Sequence, residues 1–319
     1  MRVLLTGAAG LYGYHTLQEM AVESRVSRVF GLDDFSRGFP QYEDYVADSW
    51  GDKVQIITQR FQDCTVKEIN SFDVDVVIHL AGFNSTRESA NTPEEYFLNN
   101  EYGTFRFIQT LLRTRNKPLL IYASTTEVYG FPVYSPVDEK HPSNPLNIYS
   151  VTKLAAERHA MAAGIWFNYP VTALRLTNTF GENQNINGYT SVVCSFIDRA
   201  LRNEPLIIYG TGEQARDLMY ARDAAGAICA AAMRPKSVAG KVLNIATGRM
   251  ITIRDLANKI IELTESTSEI INLPREKGEV EGNSIDLSLT QQTLNWQPRY
   301  KLEEGLIKTI NWHRSLCCI

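Results

Sequence analysis

The sequence predicts an α/β fold, a doubly wound parallel sheet followed by a smaller mixed C-terminal lobe, and three observations carry that expectation. Strand-like and helix-like segments alternate up to about residue 176. A glycine-rich turn, Gly7-Ala8-Ala9-Gly10-Leu11-Tyr12-Gly13, joins the first apolar run to the first helical stretch. A second apolar run ends at the paired carboxylates Asp33 and Asp34. With 319 residues, of which 44% are hydrophobic, the chain is long enough for one large or two closely packed domains of globular composition.

Taken in order, the first strand is expected over 2–6, an apolar run of strand length. The GxxGxxG spacing of Gly7, Gly10 and Gly13 lets the backbone turn tightly and approach a pyrophosphate. Its charge is received by amides at the start of the helix 11–23, where Leu11, Tyr12 and Gly13 lie. The second strand, 28–32, delivers Asp33 about twenty residues beyond the loop, where a carboxylate accepts both hydrogen bonds of an adenosine ribose diol and repels a 2′-phosphate. NAD is therefore favoured over NADP, although Arg37 lies close enough to offset part of the repulsion. Further strands are expected over 54–57, 75–80, 118–123 and 171–176. Val76-Val77-Ile78 is the continuous apolar run of a strand buried on both faces. Long helices are expected over 93–115 and 147–164.

Residues 1–176 thus form a nucleotide-binding domain and 177–319 mainly a second lobe. The segment 183–189 is polar and loop-like, 191–203 and 253–263 are helical by apolar spacing, and 242–246 is a strand that can rejoin the first domain. The cleft between the lobes, over the carboxyl ends of the strands, is where a substrate is expected.

Tyr149 and Lys153 sit one turn apart in the second long helix, so a phenol and an ammonium share a face. A phenol with a pKa of about 10 is a poor base at neutral pH, but a neighbouring cation stabilises the phenolate. The alternative is an ordinary exposed pair.

Together these pieces resemble the extended short-chain dehydrogenase/reductase family, the NAD-dependent nucleotide-sugar epimerases and dehydratases, over nearly the whole chain. The resemblance also rests on Asp63 after the third strand, His79-Leu80-Ala81-Gly82 after the fourth, and Asn100-Glu101-Tyr102-Gly103-Thr104 in a helix. It continues through Tyr122-Ala123-Ser124-Thr125-Thr126-Glu127-Val128-Tyr129-Gly130, Asn178-Thr179-Phe180-Gly181 and Gln214-Ala215-Arg216-Asp217 to Leu294-Asn295-Trp296-Gln297-Pro298. What it implies is a Rossmann domain holding NAD through the glycine loop, Asp33, Asp63, Leu80, Ala81, Gly82, Asn100, Tyr149 and Lys153. It also implies a catalytic set of Thr125, Glu127, Tyr149 and Lys153. Thr126, Asn178, Arg216 and Arg275 are expected to face a nucleotide-diphosphate sugar, with Arg216 on its phosphates unless it pairs with Asp217. A homodimer joined through the two long helices is implied as well.

In that scheme Tyr149 takes a hydroxyl proton as hydride leaves the same carbon, and Thr125 bridges to the reacting oxygen. Glu127 removes the C5 proton of the resulting 4-keto sugar. The Thr-x-Glu element resembles that of 4,6-dehydratases, the favoured reading, and also that of UDP-glucuronate decarboxylases. A 4-epimerase and a non-catalytic dinucleotide sensor remain as alternatives. Thr126 departs from the Asp that glucose-type dehydratases carry there, whereas GDP-mannose-type enzymes carry a hydroxyl residue.

A net charge of −4 with no basic stripe gives no footing for nucleic acid or a membrane surface. No apolar run reaches membrane-spanning length, so a cytoplasmic enzyme is expected. The five cysteines are scattered without CxxC spacing, which suggests neither a metal site nor a disulfide framework. His79 and His141 are expected to be structural, and Asp223 to order a helix start.

Overall fold

Seven parallel strands form the main sheet in the computed structural model, which describes residues 1–37, 51–185, 191–274 and 281–317. Among the described residues the strands are β1 (Arg2–Thr6), β2 (Arg28–Asp33), β3 (Val54–Thr58), β4 (Val76–His79), β5 (Leu119–Thr125), β6 (Val171–Leu176), β7 (Asn178–Phe180), β8 (Leu206–Tyr209), β9 (Ala215–Tyr220), β10 (Val242–Ile245), β11 (Met250–Thr252) and β12 (Ile270–Leu273). The main sheet has the order β10-β6-β5-β4-β1-β2-β3, with smaller sheets β11-β9-β7 and β12-β8 beside it.

Successive residues of the main strands enter opposite cores, which is why Val3-Leu4-Leu5 in β1 and Val76-Val77-Ile78 in β4 read as continuous apolar runs. Val3, Leu5, Val76, Ile78, Ile121 and Leu174 join one core with Leu17 and Met20 of the helix Leu11–Val22 and Ala224, Ala227 and Ile228 of the helix Ala221–Ala232. Leu4, Phe30, Val77, Leu120, Tyr122 and Ala173 join the other, covered by Ile69, Phe107, Leu111, Ala156 and Ala160 from three helices on that face. A third core, with Phe180, Phe196, Ile197, Leu256 and Ile260, fills the lobe built on the small sheets. β10 pairs in parallel with β6, Val242 opposite Ala173, so this late segment closes the edge of the main sheet.

One element differs from expectation. The run expected as one regular helix over 93–115 is helical over Pro93–Tyr96, widens to π geometry over Phe97–Gly103, and returns to α over Thr104–Leu111. The widened turn carries the consecutive amides Asn99 and Asn100 both inward, where they are buried and bonded. A regular α turn would carry adjacent residues some 100° apart.

Candidate active site

The turn after β1 lies between the tips of β2 and β4, the two neighbours of β1 in the sheet. Gly7 has φ +74°, and a Cβ there would lie 2.7 Å from the Ala81 amide nitrogen. A Cβ on Gly13 would run into the Gly7 carbonyl oxygen, so the helix Leu11–Val22 can begin this close to β1 only with glycine there. No side chain caps that helix at Gly10, which leaves first-turn amides available to an anion. Asp33 accepts from the Ala9 amide at 2.9 Å and from the Phe35 amide at 2.8 Å. Its carboxyl is pushed above its usual range by burial, with these amides opposing. A cradle that a single Cβ would fill, an uncapped helix start and an adjoining carboxylate fit the pyrophosphate and adenosine ribose of a dinucleotide.

Asp63 ends the short 3₁₀ turn Phe61–Asp63 beyond β3 and is exposed. After β4, the Leu80 amide bonds the Thr6 carbonyl and the Ala81 amide bonds Thr6 Oγ1 at 3.3 Å. Gly82 then passes so close to Asn100 Oδ1 and Lys153 Nζ that a Cβ would lie 3.3 and 3.8 Å from them. Asn100 grips the next residue, accepting from the Phe83 amide at 2.8 Å and donating to its carbonyl at 2.9 Å. Its amide therefore anchors the loop that follows β4.

β5 ends at Thr125, whose Oγ1 accepts from the Glu127 amide at 3.2 Å and caps the turn Thr126–Tyr129. The helix Ile148–Phe167 starts from a reciprocal Asn147–Ser150 capping box, which puts Tyr149 and Lys153 in its first two turns. The Tyr149 amide bonds Ser89 Oγ at 3.2 Å. Burial pushes the Tyr149 phenol well above its ordinary pKa, and the Tyr12 phenol adds to this. A hydrogen bond with the Thr125 hydroxyl opposes, and Glu127 raises it further. Thr125, Glu127, Tyr149 and Tyr12 thus lie in one neighbourhood. Lys153 is buried with Nζ 4.6 Å from the centre of the Tyr122 ring. Burial lowers it to about 7, with Glu157 opposing. Burial thus disfavours the charge of the expected cation.

Glu127 is pushed above the usual carboxyl range by desolvation, against the charge of Arg216 and a hydrogen bond from Asn147. This brings β9, the turn after β5 and the Tyr149 helix together. Asp217, the alternative partner for Arg216, is engaged elsewhere. That carboxylate accepts from the Thr247 and Gly248 amides and the Thr247 hydroxyl at 2.7–3.1 Å. Asn178 opens β7 opposite Leu218 of β9 and is exposed, and Thr126 is half-buried in the Thr126–Tyr129 turn. Arg275 lies outside the described residues.

His79 is buried between the Thr6 and Thr104 hydroxyls, at 2.7 and 3.0 Å, and His141 bonds the Val133 amide and the Pro142 carbonyl. Both are structural. Asp223 lies in the first turn of the helix Ala221–Ala232, and its carboxylate also accepts from the Arg299 and Tyr300 amides, 76 and 77 residues on. Sequence reasoning missed the Tyr12 side chain, Asn147 and Ser89. An Asn one residue before a helix start is a readable cap, whereas Tyr12 carried a signal only in being a large phenol inside a glycine turn. Among the described residues no three metal-ligating side chains cluster, and no helix is long and apolar enough to cross a membrane.

Residues 3–246 match the NAD dependent epimerase/dehydratase family. The chain is 29% identical over 326 residues to the UDP-N-acetyl-alpha-D-glucosaminuronate decarboxylase of Bacillus cytotoxicus, covering 99% of this chain and 98% of the relative. It is 27% identical over 334 residues to the dTDP-D-glucose 4,6-dehydratase of Bos taurus, covering 98% and 89%. The crystal structure of UDP-glucuronic acid 4-epimerase from Bacillus cereus, in complex with UDP-glucuronic acid and NAD, superposes with a TM-score of 0.90 at 26% identity over 99% of this chain and all of that one.

Proposed function

The chain belongs to the NAD dependent epimerase/dehydratase family, a group of nucleotide-sugar enzymes, and we propose that it is a nucleotide-diphosphate-sugar 4,6-dehydratase working through a 4-keto intermediate. The observation that carries this reading is Glu127: a desolvated carboxyl on the turn after β5, electrostatically coupled to Tyr149 and Arg216. When bound, the dinucleotide would supply an acceptor for the C4 hydride and the donor for C6, and a positive charge that would favour the Tyr149 phenolate. Tyr149 takes the C4 hydroxyl proton, with the Thr125 hydroxyl holding the same oxygen and Lys153 stabilising the phenolate and meeting the nicotinamide ribose. Glu127 removes the C5 proton. Thr126 has no acid to give, so the proton taken by Glu127 departs with the C6 hydroxyl as water, and the proton held by Tyr149 balances the one C5 takes up when hydride reaches C6. Asn178, Arg216 and Arg275 hold the diphosphate, and Asp33, Asp63 and Leu80-Ala81-Gly82 the dinucleotide.

The test is mass spectrometry of products from UDP-, GDP-, dTDP- and CDP-sugars incubated without added reductant. A product lighter by one water supports dehydration. Unchanged mass with altered retention means 4-epimerisation and demotes Glu127 to a structural role, whereas loss of carbon dioxide from a uronic acid means decarboxylation. Bound NAD without turnover of any sugar revives a sensor. In the dehydratase case Glu127→Gln stops water loss but spares C4 oxidation, read as NADH absorbance in a single turnover.

The setting we propose is a cytoplasmic homodimer. Its support is an apolar stripe left exposed along the two long helices, including Phe97, Tyr102, Phe105, Val151, Ile165 and Trp166, the last 80% exposed. Sedimentation of Phe105→Glu as a monomer, against a dimeric parent, supports it.

A further inference from the structure

Arg37, four residues beyond Asp33, is gripped from two sides. Its Nη1 and Nη2 donate to Glu88 Oε2 and Oε1 at 2.6 and 2.8 Å, both arms of the guanidinium on both oxygens of the carboxylate. Its guanidinium carbon lies 3.6 Å from the centre of the Phe83 ring. Glu88 is fixed in turn by the buried Tyr96, whose hydroxyl donates to Oε2 at 2.9 Å while accepting from the Ser85 amide at 2.9 Å. Desolvation pushes the Glu88 carboxyl up, but the bonds from Arg37 and Tyr96 hold it below its ordinary range.

The location gives this pair its meaning. Arg37 follows β2, Phe83 and Glu88 follow β4, and those strands flank β1 and its glycine turn. The pair therefore joins the segments after β2 and β4, which lie on either side of the glycine turn where a dinucleotide would bind. A guanidinium four residues beyond Asp33 would be a natural partner for an adenosine 2′-phosphate, because it would offset the Asp33 charge and present a fork to phosphate oxygens. Here both arms of that fork are already taken.

We propose that Glu88 is a specificity-determining residue for the dinucleotide: by occupying Arg37 it withholds the cation that would receive a 2′-phosphate, and so leaves the repulsion from Asp33 uncompensated. The inference rests on the family's use of NAD and on Asp33 meeting the adenosine ribose. It makes the choice of NAD a property of two chain segments about fifty residues apart rather than of the β2 tip alone.

The test is calorimetric titration of the full chain, stripped of carried-over dinucleotide, with NAD and with NADP. Glu88→Ala is expected to raise NADP affinity relative to NAD by roughly tenfold, with NAD affinity little changed. Arg37→Met on top of Glu88→Ala is expected to abolish that gain, because the gain requires the freed guanidinium. Glu88→Gln keeps the side-chain volume and removes only the charge, so it should move the ratio the same way by roughly threefold even if the alanine variant folds poorly. An unchanged ratio in a folded Glu88→Gln protein overturns the proposal, as does a gain that survives loss of Arg37. A parent protein that binds neither dinucleotide overturns the placement of the cofactor itself, a result distinct from either.

Discussion

Lys153 is a lysine whose ammonium the fold penalises. Its pKa falls from 10.5 to about 7 because burial disfavours the charge, with Glu157 in opposition. Between those values the unfolded chain binds more protons than the native one, so the contribution of this group to stability rises with pH from 7 to 10.5 and is least favourable below 7. Lys153→Met should therefore melt higher than the parent at about pH 6, by on the order of a few kcal/mol, with the advantage shrinking toward pH 10.5. Thermal melts at the two pH values check it. In the proposed mechanism Lys153 sits there for its contacts with Tyr149 and the nicotinamide ribose. Tyr149→Phe should accordingly lose turnover by about a thousandfold or more while still carrying NAD, read by dinucleotide release on denaturation. The proposed catalytic set could be assembled from the sequence because Tyr149 and Lys153 lie one helical turn apart and Thr125 and Glu127 two residues apart. The occupation of Asp217 by Thr247 was not, since that hydrogen bond joins residues 30 apart and no local pattern announces it.

Strands were the most legible elements, because a strand buried on both faces is mostly apolar, as Val76-Val77-Ile78 is. The widened turn at Phe97–Gly103 was not legible. Helical spacing changes there by one residue, and the sign of it was two adjacent amides, Asn99 and Asn100, with no reason to share an inward face in a regular helix. The cap at Asn147 couples an element to the chemistry, since its side chain holds both the Ser150 amide and Glu127. Asn147→Ala should cost about 1 kcal/mol in urea unfolding. By removing a bond that lowers the Glu127 carboxyl, it should also shift the Glu127-dependent limb of the pH–rate profile upward, which a purely structural cap would not do.

At the scale of the molecule, acid is the condition that should reach the interior first. His15 is lowered from 6.5 to about 4 and His79 to about 3, chiefly by burial. Each therefore binds fewer protons folded than unfolded in the interval below 6.5. Stability is full above pH 6.5 and drains as pH falls toward 4, at up to about 1.4 kcal/mol per unit for each histidine. Urea unfolding at about pH 7 and pH 5 should show this slope, and His79→Asn should flatten it. His15 bonds the Glu182 carbonyl at 3.1 Å and Asn183 bonds the Ala9 carbonyl at 3.0 Å, so acid also acts where the glycine turn is tied to the second lobe. Histidine positions were readable in the sequence, but their burial was not, because it depends on which helices meet over them.

The seven-stranded sheet is completed from far along the chain. β6, Val171–Leu176, is wholly buried in the finished protein, and its outer neighbour is β10, Val242–Ile245. During synthesis, then, the first half of the chain leaves the ribosome with β6 paired to β5 on one side and its other edge open until residue 245 emerges. Over that interval the nascent chain presents an open template for wrong pairing, and any stall or premature stop between β6 and β10 yields a sticky fragment rather than a smaller working domain.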